Sequence, residues 1–275
     1  MAMARERAFD IEAFVAETLA RPKYADVHPD TVRGVARLEA DRHRARKAFE
    51  KSTRARLHRL WAAYLGELDY DKDMAILEKA FASDDPDDVE ATCRRLMATH
   101  RSTRERLEIL SEFYAAVFSI AGFPGVVLDL ACALHPLGLR AMGLREPFVY
   151  HAYDINRRVV DFMGRYFALE GIAGTAHWRD VLCAPPEETG DVAFLLKMYH
   201  CLELRERGAG MRVVEATPAR WLAVSFPTRT LASKAVDIAS NYEGRIVETA
   251  GERGWRVERL DFATERVFLI DKEAP

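Results

Sequence analysis

The 275-residue sequence predicts an α/β domain preceded by a helical region. Before about residue 120, apolar residues recur at the three-and-four spacing of helices. After Gly122-Phe-Pro-Gly125, short apolar runs alternate with amphipathic stretches of helical length. Alternating strand and helix implies a largely parallel sheet covered on both faces, because each crossover helix lays its apolar stripe on the sheet. The expected division is residues 1–120 and 121–275.

In the first part, Leu57, Leu60, Trp61, Tyr64, Leu65 and Leu68 form one near-continuous apolar stripe. Ser83-Asp84-Asp85-Pro86 breaks the pattern, and Asp87 or Asp88 is expected to cap a helix through Val89, Cys93, Leu96 and Met97. Ser102 or Thr103 precedes a helix expected through Leu107, Leu110, Tyr114, Val117 and Phe118, with Glu105 and Glu108 favourable near its start. In the second part, strands are expected at Val126–Leu130, Val149–Tyr153, Ala176–Trp178, Val192–Leu196 and Trp221–Phe226. Helices are expected at Arg157–Leu169 and Lys234–Ala250. Two final runs, Trp255–Leu260 and Val267–Ile270, are separated by a short connection and read as an antiparallel hairpin.

Composition narrows the function. The balance of 40 Lys+Arg against 43 Asp+Glu excludes a uniformly basic nucleic-acid binder. Charge is nonetheless uneven, since residues 31–60 carry ten Lys/Arg against three acids, a net +7. Guanidinium-rich helices of this kind can neutralise several phosphates, although a solvated helix face has the same composition. The four cysteines are widely spaced with no C-x-x-C, so neither a disulfide framework nor a metal site is expected. The N-terminus has no apolar signal core and no stretch has the length of a membrane span, so a cytoplasmic protein without membrane contact is expected.

Three acids end three successive predicted strands: Asp129, Asp154 and Asp180. Ligands of doubly wound sheets bind at those strand ends, and a carboxylate there accepts hydrogen bonds from ribose hydroxyls or an adenine amino group. No G-x-G-x-x-G accompanies them, which disfavours a dinucleotide pyrophosphate. The pattern suits a nucleoside without phosphates, with S-adenosylmethionine the leading candidate; helix capping by each Asp is the competing reading.

Five ordered segments carry a family resemblance: HRSTRERLEILSEFY (100–114), LDLACALHPLG (128–138), YDIN (153–156), FLLKMYHCLE (194–203) and SFPTRTL (225–231). Together they resemble the aminoglycoside-resistance methyltransferases acting on 16S ribosomal RNA, the Arm/Rmt/Sgm-like group. The resemblance implies a Rossmann-like S-adenosylmethionine-dependent methyltransferase sheet with an all-helical N-terminal extension. It implies methyl transfer to guanine N7 in the decoding region of the 30S subunit.

The resemblance also implies residue roles. Arg106 would reach the cofactor's carboxylate, its planar fork suiting a bidentate contact. Asp129, Ala131 and Ala133 would line the first turn, Asp154 and Ile155 the ribose, and Asp180 and Val181 the adenine. Lys197 and Glu203 would flank the catalytic pocket. Arg44, Lys47, Lys51, Arg54, Arg229 and Lys234 would face RNA; Tyr199, Phe226 and Trp178 are candidates to stack on the flipped base, with a core role the favoured reading of each taken singly. No DNA contact is implied, and a monomer is expected.

The sequence departs from the family at the first turn, where Ala133 stands in place of glycine and His135 in place of asparagine. If that position needs a positive φ, alanine costs about 1 kcal/mol or more. A weakened RNA-binding homologue, or an enzyme for another RNA site, therefore stays open as an alternative.

Overall fold

The computed structural model describes residues 9–61, 68–228 and 238–273. Three helices open the chain: α1 (Ile11–Leu19), α2 (Pro29–Ala40) and α3 (Arg46–Trp61). Asp10 caps α1 by accepting from the Ala13 N–H, and Pro29 starts α2, where a missing N–H costs nothing. Phe14, Val15, Val32, Val35, Phe49 and Leu57 close a small core of their own. Of the predicted apolar stripe, Leu57 is buried and Leu60 half-buried; Tyr64 and Leu65 lie outside the described residues.

Next come α4 (Tyr70–Ala82) and α5 (Pro86–Met97). The cap of α5 is Asp85 rather than Asp87 or Asp88, with Pro86 at its first helical position. The helix expected from Ser102 through Phe118 is broken into α6 (Arg101–Arg104) and α7 (Leu110–Ala121). Between them the N–H groups of Arg106, Leu107 and Ile109 bond three residues back, tightening the chain. Thr103 does not cap: its hydroxyl donates to the Met97 and His100 carbonyls. Glu105, expected to complement a helix dipole, instead pairs with Arg101 and Lys197.

The second part alternates as expected: β1 (Val126–Leu130), α8 (Leu139–Met142), β2 (Val149–Asp154), α9 (Arg157–Glu170), β3 (Ala173–Trp178), β4 (Gly190–Leu196), α10 (Tyr199–Arg205), α11 (Ala209–Ala216), β5 (Ala219–Pro227), α12 (Ser240–Glu252), β6 (Arg256–Asp261) and β7 (Glu265–Asp271). The strand order is β3-β2-β1-β4-β5-β7-β6, parallel throughout β1–β5, with β7 antiparallel to β5 and to β6. The closing hairpin is thus inserted beside β5. Apolar clusters cover both faces. One joins α4, α5, α7 and α9 to the sheet, and its packing runs through residue 120 without a break; the other holds α10, α11 and α12.

The N-terminal helices are fastened beside the strand ends. His28 N–H donates to the Ile155 carbonyl at 2.8 Å, and Arg157 N–H donates to the Asp26 carbonyl at 2.9 Å. Among the described residues no helix is long and apolar enough to cross a membrane.

Candidate active site

At the carboxyl ends of β1, β2 and β4, where strand order reverses between β1 and β4, lies a cavity of about 1190 Å3 with its open mouth included. Its walls include Leu134, Ile155, Val159, Val181, Leu195, Leu196 and Met198, and its polar groups include Asp154, Asp180 and Lys197.

The turn after β1 is strained. Ala131 has φ +56° and Ala133 φ +46°, both in the left-handed region that disfavours a Cβ. The turn is held by a Cys132 N–H bond to the Tyr153 carbonyl at 2.9 Å and by an Ala133 N–H bond to Asp154 Oδ2 at 3.0 Å. Asp154 also accepts from the Asn156 N–H at 2.8 Å. Burial raises its carboxyl to about 6, and the backbone N–H groups only partly counter this. Ala131, Ala133, Asp154 and Ile155 all line the cavity.

Asp129 does not. Its carboxylate sits beneath the turn, bonded to His135 Nδ1 at 2.8 Å and to the Tyr150 hydroxyl at 2.9 Å. His135 Nε2 continues the chain to the Tyr114 hydroxyl at 2.7 Å. These groups are buried, and full pairing is what makes burying them tolerable. Asp129 and His135 therefore shape the turn from below and stand outside the cavity lining.

Asp180 and Val181 line the opposite wall. Asp180 accepts from the Thr31 hydroxyl at 2.6 Å, Arg205 Nη1 at 2.5 Å and the Leu182 N–H at 3.1 Å. Burial works to raise this carboxyl, but the Arg205 charge and the hydrogen bonds outweigh it and hold it below the usual range. Thr31 and Arg205 were not signalled by the sequence, since each is far along the chain from Asp180.

Lys197 directly follows β4 with φ +59°, its N–H bonded to the Ser225 carbonyl at 3.1 Å and hydroxyl at 3.0 Å. Such strain in a non-glycine residue, fixed by a neighbouring strand, places the side chain on the cavity wall. Its Nζ lies 2.8 Å from Glu105 and 3.4 Å from Glu265. Glu265 is fully buried and takes both Nε and Nη2 of Arg106, at 3.1 and 2.6 Å. Burial opposes its ionisation, yet the Arg106 and Lys197 charges hold its carboxyl below the ordinary range.

The Arg106 fork is therefore engaged by protein, and the bidentate ligand contact expected of it is corrected. Nη1 alone remains, buried and without a hydrogen-bond partner among the described residues. Glu265 was missed because its partners lie 159 and 68 residues away in a fold that sequence spacing does not reveal.

Glu203 is also corrected. It accepts from the Gly208 and Gly210 N–H groups, each at 2.9 Å, and so closes the amino end of α11, away from the cavity lining. Tyr199 and Phe226 are fully buried against each other and against Tyr242, and Trp178 donates to the Ile155 carbonyl, so all three are packing residues.

Of the basic residues, Arg44, Lys47 and Lys51 are exposed, with no carboxylate of a described residue in ion-pair range. Arg54 turns inward, stacked over Phe14 at 5.4 Å and bonded to Glu50. Arg229 and Lys234 lie outside the described residues.

This donor set fits S-adenosylmethionine. A carboxylate has about four lone-pair sites, so Asp154 keeps acceptor capacity for ribose hydroxyls after its backbone contacts. The apolar walls suit a purine. The lysine and arginines of the lining are each matched, Lys197 by Glu105 and Glu265, Arg205 by Asp180 and Arg179 by Glu187, so none of them is left to hold a pyrophosphate.

Known proteins are similar to this chain in sequence and fold. The family model "Ribosomal RNA methyltransferase (FmrO)" matches residues 20–270. The 16S rRNA (guanine(1405)-N(7))-methyltransferases of Frankia casuarinae and Micromonospora rosea are 37% and 35% identical, covering 93% and 91% of this chain and 92% of each relative. Among solved structures, the 16S rRNA methylase RmtB superposes with TM-score 0.80 at 30% identity, covering 96% of this chain and 99% of that one. The 16S rRNA methyltransferase RmtF, solved with S-adenosyl-L-homocysteine, gives TM-score 0.80 at 29% identity, covering 97% and 98%. The match runs through the N-terminal helices as well as the sheet, so the chain belongs to the FmrO family of ribosomal RNA methyltransferases.

Proposed function

We propose that this chain transfers a methyl group from S-adenosylmethionine to N7 of a guanine in the decoding region of 16S ribosomal RNA, acting as a monomer on the assembled 30S subunit in the cytoplasm. The observation that carries the reading is the Asp154 cavity at the strand-order reversal, in a chain similar along its length to 16S rRNA (guanine-N7) enzymes. When bound, S-adenosylmethionine would supply a methyl group on a sulfonium, the methyl–sulfur bond breaking to leave neutral S-adenosyl-L-homocysteine as the in-plane lone pair of guanine N7 bonds the methyl carbon, with no general base needed.

The residues position and enclose. Asp154 accepts the ribose hydroxyls, and the remaining acceptor capacity of Asp180 faces the adenine edge. Arg106, fully buried and outside the cavity lining, acts on the wall through Glu265, and its unpartnered Nη1 would reach the carboxylate of the methionine moiety only where that wall yields. Lys197, Glu105 and Glu265 keep the wall beneath that moiety rigid and charge-balanced. Leu195, Leu196 and Met198 keep water from the reacting centre. The helical region before residue 120 supplies the docking face, with the exposed Arg44, Lys47 and Lys51 available to phosphates. The methylated guanine carries a positive charge, which repels cationic aminoglycosides and gives resistance.

Transfer of labelled methyl to purified 30S subunits, with naked 16S RNA as control, tests the reading. Label confined to one guanine of 30S supports it. Absence of label from every RNA, with S-adenosyl-L-homocysteine still bound, favours the weakened homologue to which the strained Ala133 points.

A further inference from the structure

A second cluster of ligating side chains lies outside the cavity, at the β3 edge of the sheet. His151 of β2, His177 of β3 and Glu188, just before β4, are half-buried, and one ligand atom from each lies within 4.8 Å of the others. His151 Nδ1 and His177 Nε2 are 3.2 Å apart, and His177 Nε2 is 3.7 Å from Glu188 Oε1. Around a tetrahedral ion with bonds of ~2.0–2.1 Å, ligand atoms stand about 3.3–3.4 Å from one another. One edge of such a tetrahedron is thus already set, and a second needs a shift of a few tenths of an ångström, on the order of ordinary side-chain adjustment.

The surroundings hold these ligands in place. The Tyr153 hydroxyl donates to the second oxygen of Glu188, and its ring stacks on His177 with centroids 4.6 Å apart. Hydrogen-bonded partners of this kind orient metal ligands and tune their affinity. The neighbouring Arg179 is neutralised by Glu187 at 2.8 Å.

We infer that His151, His177 and Glu188 form a divalent-cation site of the zinc type, with water as the fourth ligand. Two imidazoles and one carboxylate select borderline transition ions over magnesium or calcium. None of the three lines the cavity, so the site is structural with respect to methyl transfer. It clips together the two ends of the connection between β3 and β4, which carries the cavity residues Arg179, Asp180 and Val181.

The test uses tag-free, full-length, chelator-stripped protein titrated with Co2+ and then Zn2+, followed by visible absorption and calorimetry. One Co2+ per chain, displaced by Zn2+, is expected, together with a rise in thermal midpoint on adding Zn2+. His177→Gln should abolish the cobalt spectrum. Tyr153→Phe, which keeps all three ligands, should weaken binding about 10–100-fold. Circular dichroism confirms that each variant is folded, and Glu188→Gln decides if His177→Gln is not. Failure to bind either ion, or binding unchanged in His177→Gln or Glu188→Gln, would overturn the site.

Discussion

Two charged regions of this molecule use the same residue types in opposite ways. Beneath the cavity, Arg106, Glu265, Lys197 and Glu105 form one connected network in which Arg106 and Glu265 are fully buried. At the start of α3, Arg44, Lys47 and Lys51 point to solvent, and no described carboxylate lies in ion-pair range of them. A buried charge is tolerable when its charge is balanced, and here two carboxylates balance two cations with Arg106 Nη1 alone left without a partner among the described residues, so the first network fixes geometry. An exposed charge keeps its hydration and stays available to a partner. The basic window between residues 31 and 60 is itself divided, because Arg56 is drawn onto the buried Glu39 at 2.9 Å and Arg54 onto Glu50. Both acids are already counted in the net charge of the window, so these pairs leave the sum unchanged and decide which of its cations stay available to a partner.

The largest effect should come from breaking the buried network. Glu265→Gln preserves shape but leaves Arg106 and Lys197 facing a neutral amide. Removing one partner of a buried pair typically costs about 3–5 kcal/mol, and chemical denaturation should show a decrease of that order. A decrease below about 1 kcal/mol, the value of a surface pair, would place this network with the exposed charges.

Next in size is the carboxylate that the cavity leaves open. Asp154→Asn should weaken S-adenosyl-L-homocysteine binding by about 1.5–3 kcal/mol, the range for hydrogen bonds to a charged group. The same side chain gives two opposed pH trends. Its carboxyl is raised to about 6 in the folded chain, so the folded state binds this proton more tightly than the unfolded state does. The resulting stability is full below the ordinary carboxylate value and is lost as pH rises through about 6. Ligand binding uses the ionised form and should weaken as pH falls through that same value. Calorimetric titration and thermal melts across this window should show both trends, and Asp154→Asn should flatten both.

These two regions were unequally legible in the sequence. The strands were visible because buried parallel strands read as short apolar runs, and β1 begins and ends where its run does. Asp154 and Asp180 were found from the strand-end rule, and the structure brings both to the cavity. Asp129 satisfies the same rule, yet it lies under the turn. Side chains alternate along a strand, and one strand's sequence does not say which face meets the ligand. Glu265 and Arg205 were invisible because their partners are brought close only by the folded sheet. The break between α6 and α7 was missed for a related reason: helical periodicity continues through Arg106, and only the Glu265 contact shows that its side chain turns into the core.

A smaller effect belongs to the first turn. Ala133 holds φ +46° with its N–H committed to Asp154, so its methyl adds strain without adding a contact to that bond. Ala133→Gly removes a left-handed penalty of about 1–2 kcal/mol but adds about 0.5–1 kcal/mol of chain entropy to lose on folding. The net expectation is a gain of up to about 1.5 kcal/mol, read as a modest rise in melting temperature, with tighter S-adenosyl-L-homocysteine binding. A drop in stability would mean that the methyl packs usefully against the cavity wall.

The smallest effect on stability should come from the exposed face, where the effect on binding should be plain. Lys47→Ala and Lys51→Ala remove side chains that touch no described carboxylate, so each should change folding stability by less than about 0.5 kcal/mol. Removing one phosphate-binding charge should lower the slope of log affinity against log salt by about one, measured on 30S subunits over a salt series. Arg54→Ala provides the internal contrast, since its guanidinium stacks on Phe14 and bonds to Glu50. It should lower stability while leaving the salt slope unchanged. If Arg54→Ala changes the slope and Lys47→Ala does not, the docking face lies elsewhere and the division drawn between buried and available charge fails.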